Sequence, residues 1–451
     1  MTHQFQRFDF RGPLRFEKRR VFRRRFLAAL CMLGVIGWIW AAHTDDPIAA
    51  PDKTGPTDPA GANAPGMPLA TGQAPKVEAV PLNEWMSPFR HFPQADTLIH
   101  ENRSYTMDYA LDSATQSRAE YWLKRFRPEM GVVLISDLHT PSILAAAENH
   151  ADTLLEGLHL ALGGQYPAAS LIKIITASAG LENTLKGPED SLPRLGANHT
   201  LYRSQIRLDH NPSYPMVALR EAFARSINPA FAILGIKVGP KGLQNMAEQF
   251  GFNRERPCAL WGMSQFTAPD SGFSLAETAC GFTDRSTISP LHALQIARAI
   301  GSDGRLLTPV FATSLTDQKT GLKVPISPVQ NLAKVVDDAT LLGLQDLMEA
   351  TTRIGTARKG FHRAMRANDL NLLKVGGKTG SLDGNDPPGR YEWFIGYANY
   401  TRNPAKGIAI SVMLIHHEYL AVHASELAAY IIRDWLRHQV RLERTALSDT
   451  I

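Results

Sequence analysis

Strand-like runs lie at both ends of this chain's body, with helical patches and loops between them, and that spacing constrains the fold more than any other feature. Met130–Leu138 (Met-Gly-Val-Val-Leu-Ile-Ser-Asp-Leu) reads as a buried strand, 137–141 as a turn and 142–147 as its hairpin partner. Three more runs, at 372–382, 392–397 and 407–415, come only after the long middle region of 185–350. A helix is expected from Asp112 or Ser113, either of which can cap it, and a closing amphipathic helix over 424–440. Strands at both ends with helices between them imply a sheet assembled from distant segments. The expected fold class is α+β, an α/β sandwich: an antiparallel five-stranded sheet flanked by helices, with an inserted all-helical subdomain.

Ahead of this body the chain changes character. Residues 1–25 hold eight Arg and one Lys against Asp9 and Glu17, a net +7, so the overall +5 leaves −2 for the rest. The basic excess sits in one short arm, which argues against nucleic acid as the partner of the body. Residues 26–42 are seventeen without a charge, the lower limit for a bilayer-spanning helix, with Trp38 and Trp40 placed as an interfacial anchor. Positive residues stay inside, so the N-terminus is expected to be cytoplasmic and residue 43 onward exported. A cleaved signal is the competing reading, and Arg23-Arg24-Arg25-Phe26-Leu27 resembles a twin-arginine signal. Trp40 falls where a small residue is wanted before Ala42, which favours an uncleaved, single-pass anchor. Leu30 spoils Ala28-Ala29-Leu30-Cys31 as a lipid-attachment site.

From His43 to Pro81 there are eight prolines among Ala, Gly, Thr and Asp, a composition that reads as a semi-extended tether. Trp85, Phe89 and Phe92 are the first side chains expected to dock on the folded body. The organisation is thus an arm (1–25), an anchor (26–42), a tether (43–94), a body (95–440) and a tail (441–451). Cys31 falls in the anchor. Cys258 and Cys280 are either a disulfide or two buried thiols, which the sequence leaves open.

Chemistry is expected to start at Ser170. Ser170-Leu-Ile-Lys173 at the start of a helix puts hydroxyl and amine on one face, a turn apart. The apolar, small-residue run 174–180 behind it supplies a dry setting, in which Lys173 loses hydration of its charged form and becomes a base for the serine. Ser-x-x-Lys alone is a common pattern, so partners are required. Ser226-Ile-Asn228 offers a hydroxyl to relay a proton and an amide to bond the substrate. Lys-Thr-Gly occurs at 53, 319 and 378; the first lies in the tether and the second reads as a turn. Only the third has a strand-like approach and a hairpin partner. There Lys378 supplies charge, Thr379 and Ser381 offer hydroxyls to a carboxylate, and Gly380 permits close approach. The backbone N–H groups of Ser170 and Ser381 can form an oxyanion hole.

The set Ser-x-x-Lys, Ser-x-Asn and Lys-Thr-Gly at 170, 226 and 378 resembles the penicillin-binding protein and serine β-lactamase superfamily. The resemblance covers about residues 100–440 and is closest to the transpeptidase domain of high-molecular-mass penicillin-binding proteins. It implies a serine D,D-transpeptidase acting on peptidoglycan stem peptides through an acyl-enzyme, acylated by β-lactams, with no cofactor or metal. The catalytic set is Ser170, Lys173 and Ser226; the substrate-binding set is Asn228, Lys378, Thr379, Gly380 and Ser381. The alternatives are a D,D-carboxypeptidase using the same site and a non-turnover penicillin-binding sensor or scaffold. The expected location is the bacterial inner membrane with a periplasmic body.

Some positions depart from the family pattern. Ala169 stands where relatives often have Gly, and Ser289 where Thr usually precedes Pro290. Only the tether and a short lead-in separate the anchor from the body, which leaves no room for a glycosyltransferase domain or a pedestal and makes a separate glycan polymerase a candidate partner. No Glu-x-x-Leu-Asn follows the Ser-x-Asn motif, and Glu277 lacks that context, so deacylation by water is expected to be slow. His416-His417-Glu418 reads as a buried and an exposed histidine on one strand rather than a metal site. Arg353 and Arg358, around Gly355-Thr356-Ala357, lie either near the cleft or on a solvated loop.

Overall fold

The computed structural model describes residues 97–100, 102–150, 159–163, 166–207, 214–254, 262–325 and 334–448. The arm, anchor and tether, the aromatics Trp85, Phe89 and Phe92, and Cys258 lie outside the described residues. Among those described, no helix is long and apolar enough to cross a membrane.

Five antiparallel strands form the main sheet: β1 (Met130–Asp137), β2 (Ile143–Asn149), β3 (Leu373–Asn385), β4 (Pro388–Tyr400) and β5 (Gly407–His416). Their order is β3-β4-β5-β1-β2, so the two ends of the body meet where β5 pairs with β1. All ten residues of β5 are buried. Its near-continuous apolar sequence is what a strand covered on both faces requires. The turn after β1 is held by Asp137, whose carboxylate accepts from the N–H groups of His139 and Thr140 at 2.9 and 2.7 Å.

One face of the sheet packs against α1 (Ser113–Phe126) and the C-terminal helix of Ala424–Ser448, with Phe394, Val412 and Leu414 meeting Leu427, Ile431 and Trp435. Asp112 caps α1, accepting from Thr115 N at 2.7 Å. The other face packs against the segment inserted between β2 and β3. Its helices of six residues or more include α2 (Ile172–Asn183), α3 (Leu219–Ala224), α4 (Asn228–Gln249), α5 (Gly272–Cys280), α6 (Pro290–Gly301) and α7 (Asp338–Arg353). A short α8 (Arg358–Ala364) leads back toward β3, and the C-terminal helix becomes α9.

The insertion is not all-helical. Ser191–Pro193 pairs with Met216–Ala218, Tyr166–Pro167 pairs with Thr287–Ile288, and Ala312–Asp317 with Lys323–Pro325 joins Thr97–His100 and Arg103–Tyr109 in a second, four-stranded sheet. Its strands of two or three residues carry no period for a sequence reading to find, whereas Ala312–Asp317, at six residues, is long enough to show one. Helix α9 also runs to Ser448, so the boundary expected at 440 falls inside a helix. Ser289 caps α6 by accepting from His292 N at 3.2 Å, a task that Thr would perform equally.

Large aromatics on β4 tie the sheet to the segment leading into Ser170. Trp393 is fully buried, and its indole N–H donates to Pro167 O at 3.0 Å. Trp393→Phe would leave that carbonyl without its donor and part of the ring volume empty. The expected cost is about 2 kcal/mol, read as a lower urea midpoint at unchanged slope. An unmoved midpoint would mean that this tether contributes nothing.

Candidate active site

The Ser-x-x-Lys segment folds as a 3-10 turn, Ala169–Leu171, running directly into α2. Lys173 is fully buried, and its Nζ lies 2.8 Å from Ser170 Oγ, 2.7 Å from Asn228 Oδ1 and 2.6 Å from Cys280 O. Two of these three partners can only accept hydrogen bonds. A neutral amine that donates to both turns its remaining lone pair toward the third, the one partner with a hydroxyl proton to give. Burial pulls the Lys173 pKa down to about 8, which brings the neutral form within reach near physiological pH.

The Ser-x-Asn segment is the break between α3 and α4. Ser226 has φ +55°, and the chain reverses there through Ser226 N to Phe223 O (3.0 Å) and Ile227 N to Ala222 O (2.9 Å). That is a helix-ending pattern in which glycine usually takes the left-handed position. Phe223 and Phe231 flank the break and place their rings near Lys378 Nζ and Lys173 Nζ, at 5.4 and 5.9 Å. The segment 198–199 braces it from outside: Asn228 N donates to Asn198 O at 2.7 Å, and the His199 ring bonds the backbone of Ser226.

The third motif lies on β3, the edge strand. Lys378 is fully buried, and its Nζ donates to Ser226 Oγ at 3.0 Å and Thr379 O at 2.8 Å. Burial and the charge of Lys173 push its pKa well below the usual lysine value. Thr379 Oγ1 sits 2.5 Å from Thr356 Oγ1, and Ser381 Oγ accepts from Arg390 Nη2 at 3.1 Å. A methyl group at Gly380 would come within 3.4 Å of Ser170 N, so strand and serine are in close approach. Ser170, Ser226, Asn228, Thr379, Gly380 and Ser381 line one cleft of about 600 Å³, and both lysines lie just beneath it. The structure thus brings together all eight expected residues. The copy of Lys-Thr-Gly at 319 is a turn, with Lys319 and Thr320 N–H groups bonded to Asp317 Oδ1.

Residues outside these motifs take other places. Arg353 pairs with Glu349 at 2.9 Å, and both Arg353 and Arg358 are exposed outside the cleft lining; Thr356, Lys359 and Arg363 line it instead. His416 is buried and His417 exposed, as expected. Cys280 is a buried thiol whose pKa burial raises to about 11. Its contribution to the site is its backbone carbonyl, which no side-chain motif can announce. Gly281 follows it with φ +69°, where a Cβ would lie 1.8 Å from Ala169 O. His199, at the cleft wall, is held below its usual pKa by burial and by the two lysines.

Comparison with known proteins agrees with this geometry. The description "Penicillin binding protein transpeptidase domain" matches residues 131–435. The chain belongs to the penicillin-binding protein transpeptidase family. Among named relatives, peptidoglycan D,D-transpeptidase PbpA of Mycolicibacterium smegmatis is 28% identical over 267 residues, 56% of this chain and 51% of that protein. PbpA of Mycobacterium tuberculosis is 26% identical over 295 residues, 61% of this chain and 55% of that protein. The matched part thus spans about half the length of these relatives. The D,D-transpeptidase domain of an Eggerthella lenta peptidoglycan glycosyltransferase superposes with a TM-score of 0.59 at 21% identity, covering 74% of this chain and 84% of that one. M. tuberculosis penicillin-binding protein A, in its imipenem acyl-enzyme complex, gives 0.58 at 23% identity, covering 75% and 81%.

The buried amine has a thermodynamic signature that penicillin-binding transpeptidase chemistry would not produce by itself. Lys173 titrates near 8 in the fold against 10.5 when solvated. Between those values the unfolded chain binds more protons, so stability rises with pH there and is lost as pH falls toward 8. Relative to Lys173→Met, the wild-type chain should gain on the order of 3 kcal/mol in unfolding free energy from pH 8 to 10.5. A flat difference across that range would show that Lys173 titrates as an exposed lysine.

Proposed function

We propose that this chain is a membrane-anchored serine D,D-transpeptidase of the bacterial cell wall, with residues 26–42 as its anchor and the body from residue 95 outside the cytoplasm. Ser170 Oγ attacks the carbonyl carbon of the penultimate D-Ala in a stem peptide while Lys173 Nζ takes its proton. The N–H groups of Ser170 and Ser381 hold the developing oxyanion. The C–N bond breaks as Ser226 Oγ delivers a proton to the departing D-Ala nitrogen. The carboxylate of that D-Ala rests on Lys378, Thr379 and Ser381, and Asn228 Nδ2 is directed to the substrate amide. An amine from a second stem then attacks the acyl-enzyme, running the same steps in reverse. β-Lactams acylate Ser170 and remain.

The observation that carries this reading is the Lys173 amine, 2.8 Å from Ser170 Oγ and otherwise in contact with acceptors alone. Membership of the transpeptidase family and relatives named as peptidoglycan D,D-transpeptidases support it. The test uses the full chain in detergent with fluorescent penicillin, a donor pentapeptide and an acceptor stem, beside Ser170→Ala. Label plus a crosslinked product is expected; label with D-Ala release alone means a carboxypeptidase, and label with no release a sensor. Because the base acts in its neutral form, the acylation rate should rise with pH through about 8 and level off above it. A rate that falls over that range would remove Lys173 from the role.

A further inference from the structure

The cleft is larger than a D-Ala-D-Ala terminus needs, and its two arms differ in chemistry. Part of its lining is apolar or small: Gly281, Phe282 and Leu382. Another part is polar and charged, with Thr356 against Thr379 and, in the same lining, Lys359, Arg363, Glu392, His423 and Glu426. This second arm lies on the sheet face shared by Thr379 and Ser381, since Glu392 is the register partner of Ser381 on β4. Most of the ionisable side chains here already have partners. Arg363 pairs with Glu426 at 2.5 Å, His423 with Glu392 at 2.9 Å, and Arg390 with Asp383 at 3.0 Å. Lys359 is exposed at the first turn of α8, and its amine has no hydrogen-bond or ion-pair partner among the described residues.

From this we infer that the charged arm is the acceptor subsite, and that Lys359 selects an acceptor stem peptide bearing a free carboxylate. The inference rests on the proposed transpeptidation. The acceptor nitrogen must enter along the path by which the D-Ala nitrogen left, because the second half-reaction reverses the first. Its C–N bond forms as the Ser170 ester bond breaks, and its proton returns through Ser226 toward Lys173. The rest of the acceptor then extends beyond the Thr379 and Ser381 hydroxyls, over the arm that holds Lys359, unmatched among the described residues. A small D-amino acid reaches only those hydroxyls, whereas a stem peptide reaches Lys359.

The experiment compares two acceptors on the full chain in detergent, with one donor pentapeptide: D-serine and a stem tetrapeptide with a free C-terminal carboxylate. Lys359→Glu should raise the KM for the tetrapeptide roughly tenfold at low salt with little change in kcat. The effect should shrink as salt is added and vanish for the C-amidated tetrapeptide. Lys359→Arg should restore the wild-type KM. D-Serine exchange and penicillin labelling should stay unchanged in all variants. Unchanged tetrapeptide transfer in Lys359→Glu, or a parallel loss of D-serine exchange, overturns the subsite. Absence of both transfers in wild type overturns the transpeptidase reading itself, and a wild type that exchanges D-serine but never crosslinks overturns the subsite alone.

Discussion

A lysine amine sealed from water and held by three oxygens is the contact on which the rest of this molecule depends. Each oxygen comes from a different place: Ser170 from the turn before α2, Asn228 from the start of α4, and Cys280 from the end of α5. The three helices must therefore pack at fixed register. Thr176 Oγ1 donates to Ala279 O at 2.6 Å, one turn along α2 and one residue back along α5. A Cβ at Gly235 would fall 2.0 Å from Ala279 Cβ, so α4 and α5 touch at backbone distance there. Dry packing of this kind makes the amine's charge expensive, and that expense is what turns a lysine into a base.

Local strain is concentrated beside the same contact. Among the described residues only five non-glycines have positive φ, and two of them, Ala169 at +49° and Ser226 at +55°, stand in or next to the motifs. Each costs on the order of 1 kcal/mol against a relaxed conformation. Ser226 cannot be relieved by glycine because its hydroxyl faces Lys378. Ala169 carries no such duty, so a glycine there would relieve the strain without losing a side-chain contact of that kind. Its carbonyl is pressed against Gly281, so the strain on one side of the cleft is held by a residue that has no side chain to yield.

The sheet and the motif residues were legible because each leaves a local trace. Five strands long enough to show burial, the Asp112 cap, and three short motifs in order are all patterns of neighbouring residues. What the sequence hid is relational. The Cys280 carbonyl belongs to the backbone, Thr356 matters only because a distant strand brings Thr379 beside it, and the clamp of Asn198 and His199 on the Ser-x-Asn loop joins segments with no shared pattern. The choice left open for Arg353 and Arg358, cleft or solvent, is relational in the same way, and the structure gives solvent. A Gly-Thr-Ala stretch marks the right neighbourhood, but the direction of each side chain is set by α7 and α8, one turning to Glu349 and the cleft falling instead to Lys359 and Arg363.

Two buried lysines in one site raise the question of which carries the proton. Burial lowers both, and the charge of Lys173 lowers Lys378 further. The carboxylates in the described cleft lining, Glu392 and Glu426, are both paired with other side chains. Coulomb attraction strengthens as water is excluded, so an anion settling on Thr379 and Ser381 would act most strongly on the amine beneath it, that of Lys378. In the proposed reaction the D-Ala carboxylate is that anion. Its arrival favours charge on Lys378, and a charged Lys378 in turn disfavours charge on Lys173. Substrate binding would then itself convert Lys173 to the neutral form that accepts the serine proton. In that reaction the base would be switched on by the group whose departure it then catalyses.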